Sequence, residues 1–218
     1  MKFSRIDKGE TMKLLDLFCG GGGAGAGYAQ AGFEVVGCYI EPQPRNPHTV
    51  LVGDWLEMLE KYGADYDIFH ASPPCQFYTK AAVQWRKTGR IYPDLIADVR
   101  REFKKRGKPY IIENVPGAPL HNPILLNGSF FGLLVHRPRL FECSFPIAQP
   151  VIPGTKRPVK MGRPVKEGDI IQPVGHFSGV AYAQKQMGID WLGQKGLAQA
   201  IPPAYTEWIG RQIDKGEK

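Results

Sequence analysis

No apolar run in this chain of 218 residues approaches the length needed to cross a bilayer, and its first residues do not form a signal peptide. A cytoplasmic protein is therefore expected. Cysteine is scarce. The four present, Cys19, Cys38, Cys75 and Cys143, are widely spaced with no CxxC pair. That pattern suggests neither a zinc site nor a redox dithiol, and free thiols in a reducing compartment are the economical reading. His48, His70, His121 and His176 show no metal-ligand spacing and read as structural or solvent-exposed, so no metal is expected. Internal repeats are absent. Acidic residues are outnumbered, 21 Asp and Glu against 28 Lys and Arg, for a formal charge of +7 and a pI near 9.2. A polyanionic partner follows, nucleic acid before others.

What is present reads as an α/β chain of one domain with a small appendage. Lys13 to Phe18 is a short apolar run breaking into the glycine-rich stretch Cys19 to Gly27. Strand, turn and helix (Ala24 to Ala31) is the natural parse, with Gly32 as helix cap and Phe33 to Ile40 as the second strand, closed by Glu41. Glycines at Gly20, Gly22 and Gly25 would let the backbone approach a ligand, and an acid closing strand two takes ribose hydroxyls. An adenosine-type cofactor is expected there. Pro42 to Pro47 is too proline-rich for a helix. A third apolar run, Thr49 to Val52, precedes a short helix over Trp55–Tyr62.

Next comes the most informative stretch, Ile68-Phe69-His70-Ala71-Ser72-Pro73-Pro74-Cys75-Gln76. A buried strand ending in two prolines presents a thiol on a stiff bend. Loops leaving the carboxyl ends of parallel strands are where α/β proteins place their chemistry. The segment alone fits a small structural cysteine equally well. Further on, Tyr92 to Arg106 is amphipathic, with Leu95, Ile96, Val99 and Phe103 on one face and Arg100, Arg101, Lys104 and Lys105 as a solvated one. Tyr110 to Ile112 is a buried strand ending at Glu113-Asn114, and Arg139 to Glu142 is a later strand. Between Phe145 and Val174 periodicity is lost, which suggests a small lobe with Lys156, Arg157, Lys160, Arg163 and Lys166 as its basic patch. Helix signals return over 198–210.

These segments together resemble the cytosine-C5 DNA methyltransferases. Asp16 to Gly23, Pro73-Pro74-Cys75-Gln76, Glu113-Asn114-Val115 and Arg137-Pro138-Arg139 occur in that family's order, and Gln199-Ala200-Ile201-Pro202-Pro203 is similar to its last motif. The resemblance covers roughly residues 13–143 and 186–211, and the compactness is similar to phage and prophage members. It implies a Rossmann-like, class I S-adenosylmethionine-dependent methyltransferase fold with a mostly parallel sheet. The division implied is a catalytic and cofactor-binding domain over 1–144, a much reduced target-recognition lobe over 145–185, and a returning C-terminal segment over 186–218. The setting it implies is the cytoplasm of a bacterial or phage-infected host cell, with the protein a monomer.

By the same resemblance, Cys75 would be the nucleophile that adds to cytosine C6, Glu113 the acid near N3, and Arg137 and Arg139 the pair holding the base oxygen. No residue stands out as the base that removes the C5 proton, which leaves water. Phe18, Gly20, Gly21, Gly22, Gly23 and Pro74 would border S-adenosylmethionine, Glu41 would bind its ribose and Asp54 its adenine amine, with Gln199 and Ala200 completing the site. Asn114 would order the catalytic loop. Gln76, Thr79, Lys80, Trp85 and Arg86 would contact a flipped-out base and its DNA, the last four from the segment Phe77 to Arg90, which resembles the family's mobile loop.

Three features depart from the family. Pro42 to Pro47 replaces the helix after the ribose acid, Gln199 stands where Asn is common, and the recognition region is very short. Short or relaxed sequence specificity is therefore expected. Three alternatives remain open at this point. One is the same chemistry on tRNA or a free cytosine nucleotide. Another is a cofactor- and nucleic-acid-binding regulator without catalysis. A dehydrogenase would explain the glycine turn but not Pro73-Pro74-Cys75-Gln76.

Overall fold

The computed structural model of the protein describes residues 11–79, 93–151, 158–159 and 164–213. Its strands are β1 (Lys13–Leu17), β2 (Glu34–Tyr39), β3 (Thr49–Val52), β4 (Ile68–Ala71), β5 (Tyr110–Asn114), β6 (Ile124–Leu126) and β7 (Arg139–Cys143). They form one seven-stranded sheet in the order β3-β2-β1-β4-β5-β7-β6. Pairings from β3 through β5 are parallel, and β7 runs antiparallel to both β5 and β6. This is a Rossmann-like, mostly parallel α/β sheet. The chain reverses its direction of travel across the sheet between β1 and β4, which opens a crevice at their carboxyl ends.

Helices cover both faces, so the central strands are buried throughout and read as apolar runs. Pleating splits each run between two layers. Leu14, Ile68 and Ile111 face a cluster with Tyr28, Phe141, Tyr205 and Ile209. Leu15, Phe69 and Ile112 face the opposite one, with Leu59, Val99 and Phe103. Helix α1 (Gly23–Gln30) and helix α6 (Pro203–Arg211) lie on the first face, and α2 (Trp55–Tyr62) and α3 (Ile96–Arg106) on the second. Helices α1 and α6 pack with almost no gap. A Cβ on Gly27 would overlap the Pro203 carbonyl and the Thr206 hydroxyl, and that hydroxyl donates to the Ala24 carbonyl at 2.7 Å.

Three expectations need correction. The helix placed over 198–210 is two helices, α5 (Gln194–Gln199) and α6, because Ala200 and Pro202 are extended and Pro203 opens α6 at its first turn. Helix α4 (Val180–Met187) and strand β6 had no counterpart in the reading of the sequence. Arg100 does not lie on a solvated face: its guanidinium donates to both carboxylate oxygens of Glu142, at 2.8 and 2.7 Å, and to the Pro119 carbonyl. A third hydrophobic cluster joins Val135 to Ile171, Phe177, Ala183, Met187 and Leu197. Within the expected basic patch, Lys166 is exposed, while Lys156, Arg157, Lys160 and Arg163 lie outside the described residues. So do Lys80, Trp85 and Arg86 of the expected substrate-binding segment.

Candidate active site

The central strands carry few polar residues, and they cluster near the carboxyl ends. Asp16 on β1, His70 on β4, and Glu113 and Asn114 on β5 are all buried. In register, Asp16 pairs with His70 across β1 and β4. Burying four such groups is unfavourable without compensation, so their position marks the site. A cleft of about 720 Å³ opens there. It brings together Phe18, Gly20, Gly21, Gly23, Glu41, Pro74, Cys75, Gln76, Glu113, Arg137, Arg139, Gln199 and Ala200.

One wall carries titratable side chains. Cys75 follows the Pro73-Pro74 bend, and its carbonyl accepts from the Tyr78 and Thr79 amides, which starts a turn. The Asn114 amide donates to the Pro73 carbonyl at 3.0 Å, tying the loop to β5. Burial pushes the Cys75 thiol up, the Glu113 charge adds to this, and Arg139 and Arg137 pull it back. Glu113 is raised by burial as well, against the Arg139 guanidinium, whose Nε lies 3.0 Å from Oε1. Its protonated form is favoured over that of an ordinary carboxyl, which suits a proton donor.

Arg137 serves two ends at once. Fully buried, it donates from Nη1 to the Pro173 carbonyl and from Nη2 to the Ala198 carbonyl, both at 2.8 Å, while Nε has no partner among the described residues. Burial lowers its pKa to about 9, with Arg139 contributing, so the group still carries its charge at neutral pH. It pins the segment after β7 to the cleft, a role the sequence did not announce.

The opposite wall is made largely of backbone. Phe18 has φ +61° and its ring lies 5.8 Å from that of Trp55. A left-handed non-glycine residue at a site is strain held by its surroundings. Gly22, at φ +80°, is the N-cap of α1 and faces Asn46 and Pro47 rather than the cleft. The proline-rich segment 42–47 is not helical, as its composition required, and it carries a clamp instead. Asn46 Nδ2 donates to the Gly20 carbonyl at 3.0 Å, and its Oδ1 accepts from the His48 amide at 2.9 Å. From the far end of the chain, Trp191 Nε1 donates to the Gly21 carbonyl at 2.8 Å. The turn is thus gripped from both sides.

Three residues named from the sequence stand outside the cleft lining besides Gly22. Asn114 is behind it, as described, and Thr79 is one turn beyond Cys75. Asp54 instead caps α2, accepting from the Leu56 and Glu57 amides at 2.8 and 3.4 Å. Sequence reasoning missed Asn46, Trp191 and a buried polar set around His70. Asp16 is 1% exposed, and among the described residues neither carboxylate oxygen has a hydrogen-bond partner. Burial pushes it up to about 8, against the nearby Gly25 amide, and the Glu113 charge adds to the rise. A charged or polar residue inside an apolar strand run is the signal that would have found Asp16 and His70.

Comparison with known proteins agrees on the class of fold. Solved structures of S. pombe Dnmt2 methyltransferase and of the Entamoeba histolytica methyltransferase EhMeth share this architecture. The first covers 94% of this chain and 98% of its own at 12% identity, with a TM-score of 0.58. The second covers 92% and 97% at 14% identity, with a TM-score of 0.55. The chain therefore has the Rossmann-like fold of these methyltransferases. More particularly in sequence, it is similar to the Type II methyltransferase M.AgeI of Thalassovita gelatinovora, at 32% identity over 124 residues. That alignment covers 49% of this chain, and the chain spans only 28% of that relative. No family model matches the sequence.

Proposed function

We propose that the protein is an S-adenosylmethionine-dependent methyltransferase that modifies C5 of a cytosine in DNA. The observation carrying this reading is the convergence of Cys75, Glu113 and Arg139 on one wall of a single cleft whose other wall is the glycine turn and Glu41. The similarity to the Type II methyltransferase M.AgeI supports the same reading.

The residues around the turn fit the cofactor. Asp16 offers a buried carboxyl with no hydrogen-bond partner among the described residues, suited to an ammonium group, the glycine turn leaves room for a chain lying against backbone, and Glu41 suits ribose hydroxyls. Bound there, S-adenosylmethionine would supply an electrophilic methyl group. Cys75 Sγ, as thiolate, adds to C6 of the cytosine, and the C5–C6 electron pair is pushed toward N3. Glu113 gives its proton to N3 and takes it back later, while Arg139 stands beside Glu113 to offset the charge. After C5 has taken the methyl, loss of the C5 proton to water re-forms the double bond and expels Cys75 as thiolate. A base in a duplex must be flipped outward to reach this cleft. With only a short stretch between β7 and α4 to read bases, specificity is expected to be short or relaxed.

Transfer of labelled methyl from S-adenosylmethionine to duplex DNA tests this, with RNA and dCMP as parallel acceptors. Label in DNA that disappears in Cys75→Ala is expected. Label in RNA or dCMP alone would redirect the substrate, and undiminished transfer by Cys75→Ala would overturn the mechanism.

A further inference from the structure

The buried groups behind Cys75 are ordered in a line. Tyr28 on α1 and His70 on β4 are both 0% exposed. The Tyr28 hydroxyl lies 2.9 Å from His70 Nδ1, and His70 Nε2 lies 3.0 Å from the Ser72 hydroxyl. Among the described residues the Tyr28 hydroxyl has no other hydrogen-bond partner, so its proton is satisfied only by donating to Nδ1. That choice fixes the tautomer. Nε2 then carries the hydrogen and donates to Ser72 Oγ. Ser72 and Glu113 line the same cleft, so the Ser72 proton is left free to turn toward the carboxylate, whose charged form it favours. Burial keeps His70 neutral, as this tautomer requires, with a pKa lowered to about 3.

We propose that Tyr28, His70 and Ser72 are positioning residues, a directed hydrogen-bond chain that aims the Ser72 hydroxyl at Glu113 and so sets the proton affinity of that carboxyl from 0%-exposed Tyr28 on the far helix. This deepens the function proposed above and rests on Glu113 as its acid. Several other groups face Glu113. Asp16 faces it from β1, Cys75 from the loop after β4, and Arg137 and Arg139 from the β7 side. Tyr205 faces it from α6, and Tyr28 itself from α1. Among the described residues it is His70 that joins Ser72 to Tyr28.

The chain predicts a remote effect. Without the Tyr28 proton, His70 can carry its hydrogen on Nδ1, and Nε2 then accepts from Ser72 and draws that hydroxyl away from Glu113. The carboxyl stretch of Glu113 can be titrated by infrared difference spectroscopy against Glu113→Gln, with no substrate or cofactor present. Failure of this chain is thereby distinguishable from failure of the methyl-transfer reading. Ser72→Ala is expected to move the titration to higher pH by about one pH unit, the effect of losing one hydrogen bond to a charged group. Tyr28→Phe, which keeps the ring, should move it the same way, and the double variant no further than Ser72→Ala alone. His70→Leu should act like Ser72→Ala, and His70→Gln, which can still offer an N–H to Ser72, should recover most of the wild-type value. These two stand in if Tyr28→Phe does not fold. An unmoved titration in Ser72→Ala, additive shifts in the double variant, or equal shifts in His70→Leu and His70→Gln would overturn the proposal.

Discussion

The two walls of the cleft are built on different principles. The Cys75 wall relies on charge held out of water: the Cys75 thiol, the Glu113 carboxyl and the Arg137 guanidinium have proton affinities set by burial and by neighbouring charges, and Arg139 stands beside them. The glycine wall relies on shape, with backbone brought close by residues that have no side chain and held by two long-range donors, Asn46 and Trp191. Chemistry should therefore fail on the first wall with the fold intact. On the second, fold or binding should fail with Cys75 chemistry intact.

The largest expected effect is on the charged wall. Cys75→Ala should lower methyl transfer by about 10³-fold or more, as losing a covalent nucleophile does, with cofactor affinity unchanged by calorimetry. Behind the shape wall, where α1 packs on α6, Gly27→Ala drives a methyl group into the Pro203 carbonyl and the Thr206 hydroxyl. It should destabilise the protein by about 3 kcal/mol in urea unfolding. If it is neutral, the close packing of α1 on α6 does not bear on the site. A smaller effect is expected of Asn46→Ala: about tenfold weaker cofactor binding, roughly the worth of one hydrogen bond left unmade. The rate of Cys75 alkylation should not change.

Two pH effects sharpen the contrast. The Cys75 thiol is raised in the folded protein, so its reactive form is depleted below the ordinary thiol range. Alkylation by iodoacetamide at pH 8 should run slower than that of a free thiol and keep rising with pH. Arg139→Ala removes a pull toward thiolate and should slow it a few-fold. His70 is lowered from 6.5 to about 3. Below pH 6.5 the unfolded chain binds a proton that the folded chain does not, so stability falls as pH drops from 6.5 toward 3. Between pH 6.5 and 5 the loss should be about 1–2 kcal/mol greater in wild type than in His70→Gln. An equal loss would mean His70 is not held neutral.

What the sequence made legible was local. Glycine turn, acid-closed second strand, Pro-Pro-Cys bend and proline-broken segment 42–47 each carry their cause within a few residues, and each stands where it was expected. Strand β6 is three residues long between Pro123 and Asn127, and exists because it pairs with β7. Arg100 looked solvated because its partner, Glu142, lies 42 residues away. Asn46 and Trp191 act on the glycine turn across 26 and 170 residues. For Asp54 the family resemblance implied a contact to the adenine amine, and the residue also stands directly before a helix, where a carboxylate caps well. Its Oδ1 caps α2.

Trapping tests the central claim most directly. Duplex DNA carrying 5-fluorocytosine cannot lose a proton from C5, so a cytosine attacked at C6 and methylated at C5 stays joined to the protein. Incubated with S-adenosylmethionine, the wild-type protein should form a complex with such DNA that survives denaturation, its adduct mapping by mass spectrometry to Cys75 and absent from Cys75→Ala. Methyl transfer to unmodified DNA with no adduct on the fluorinated strand, or an adduct on another residue, would contradict it.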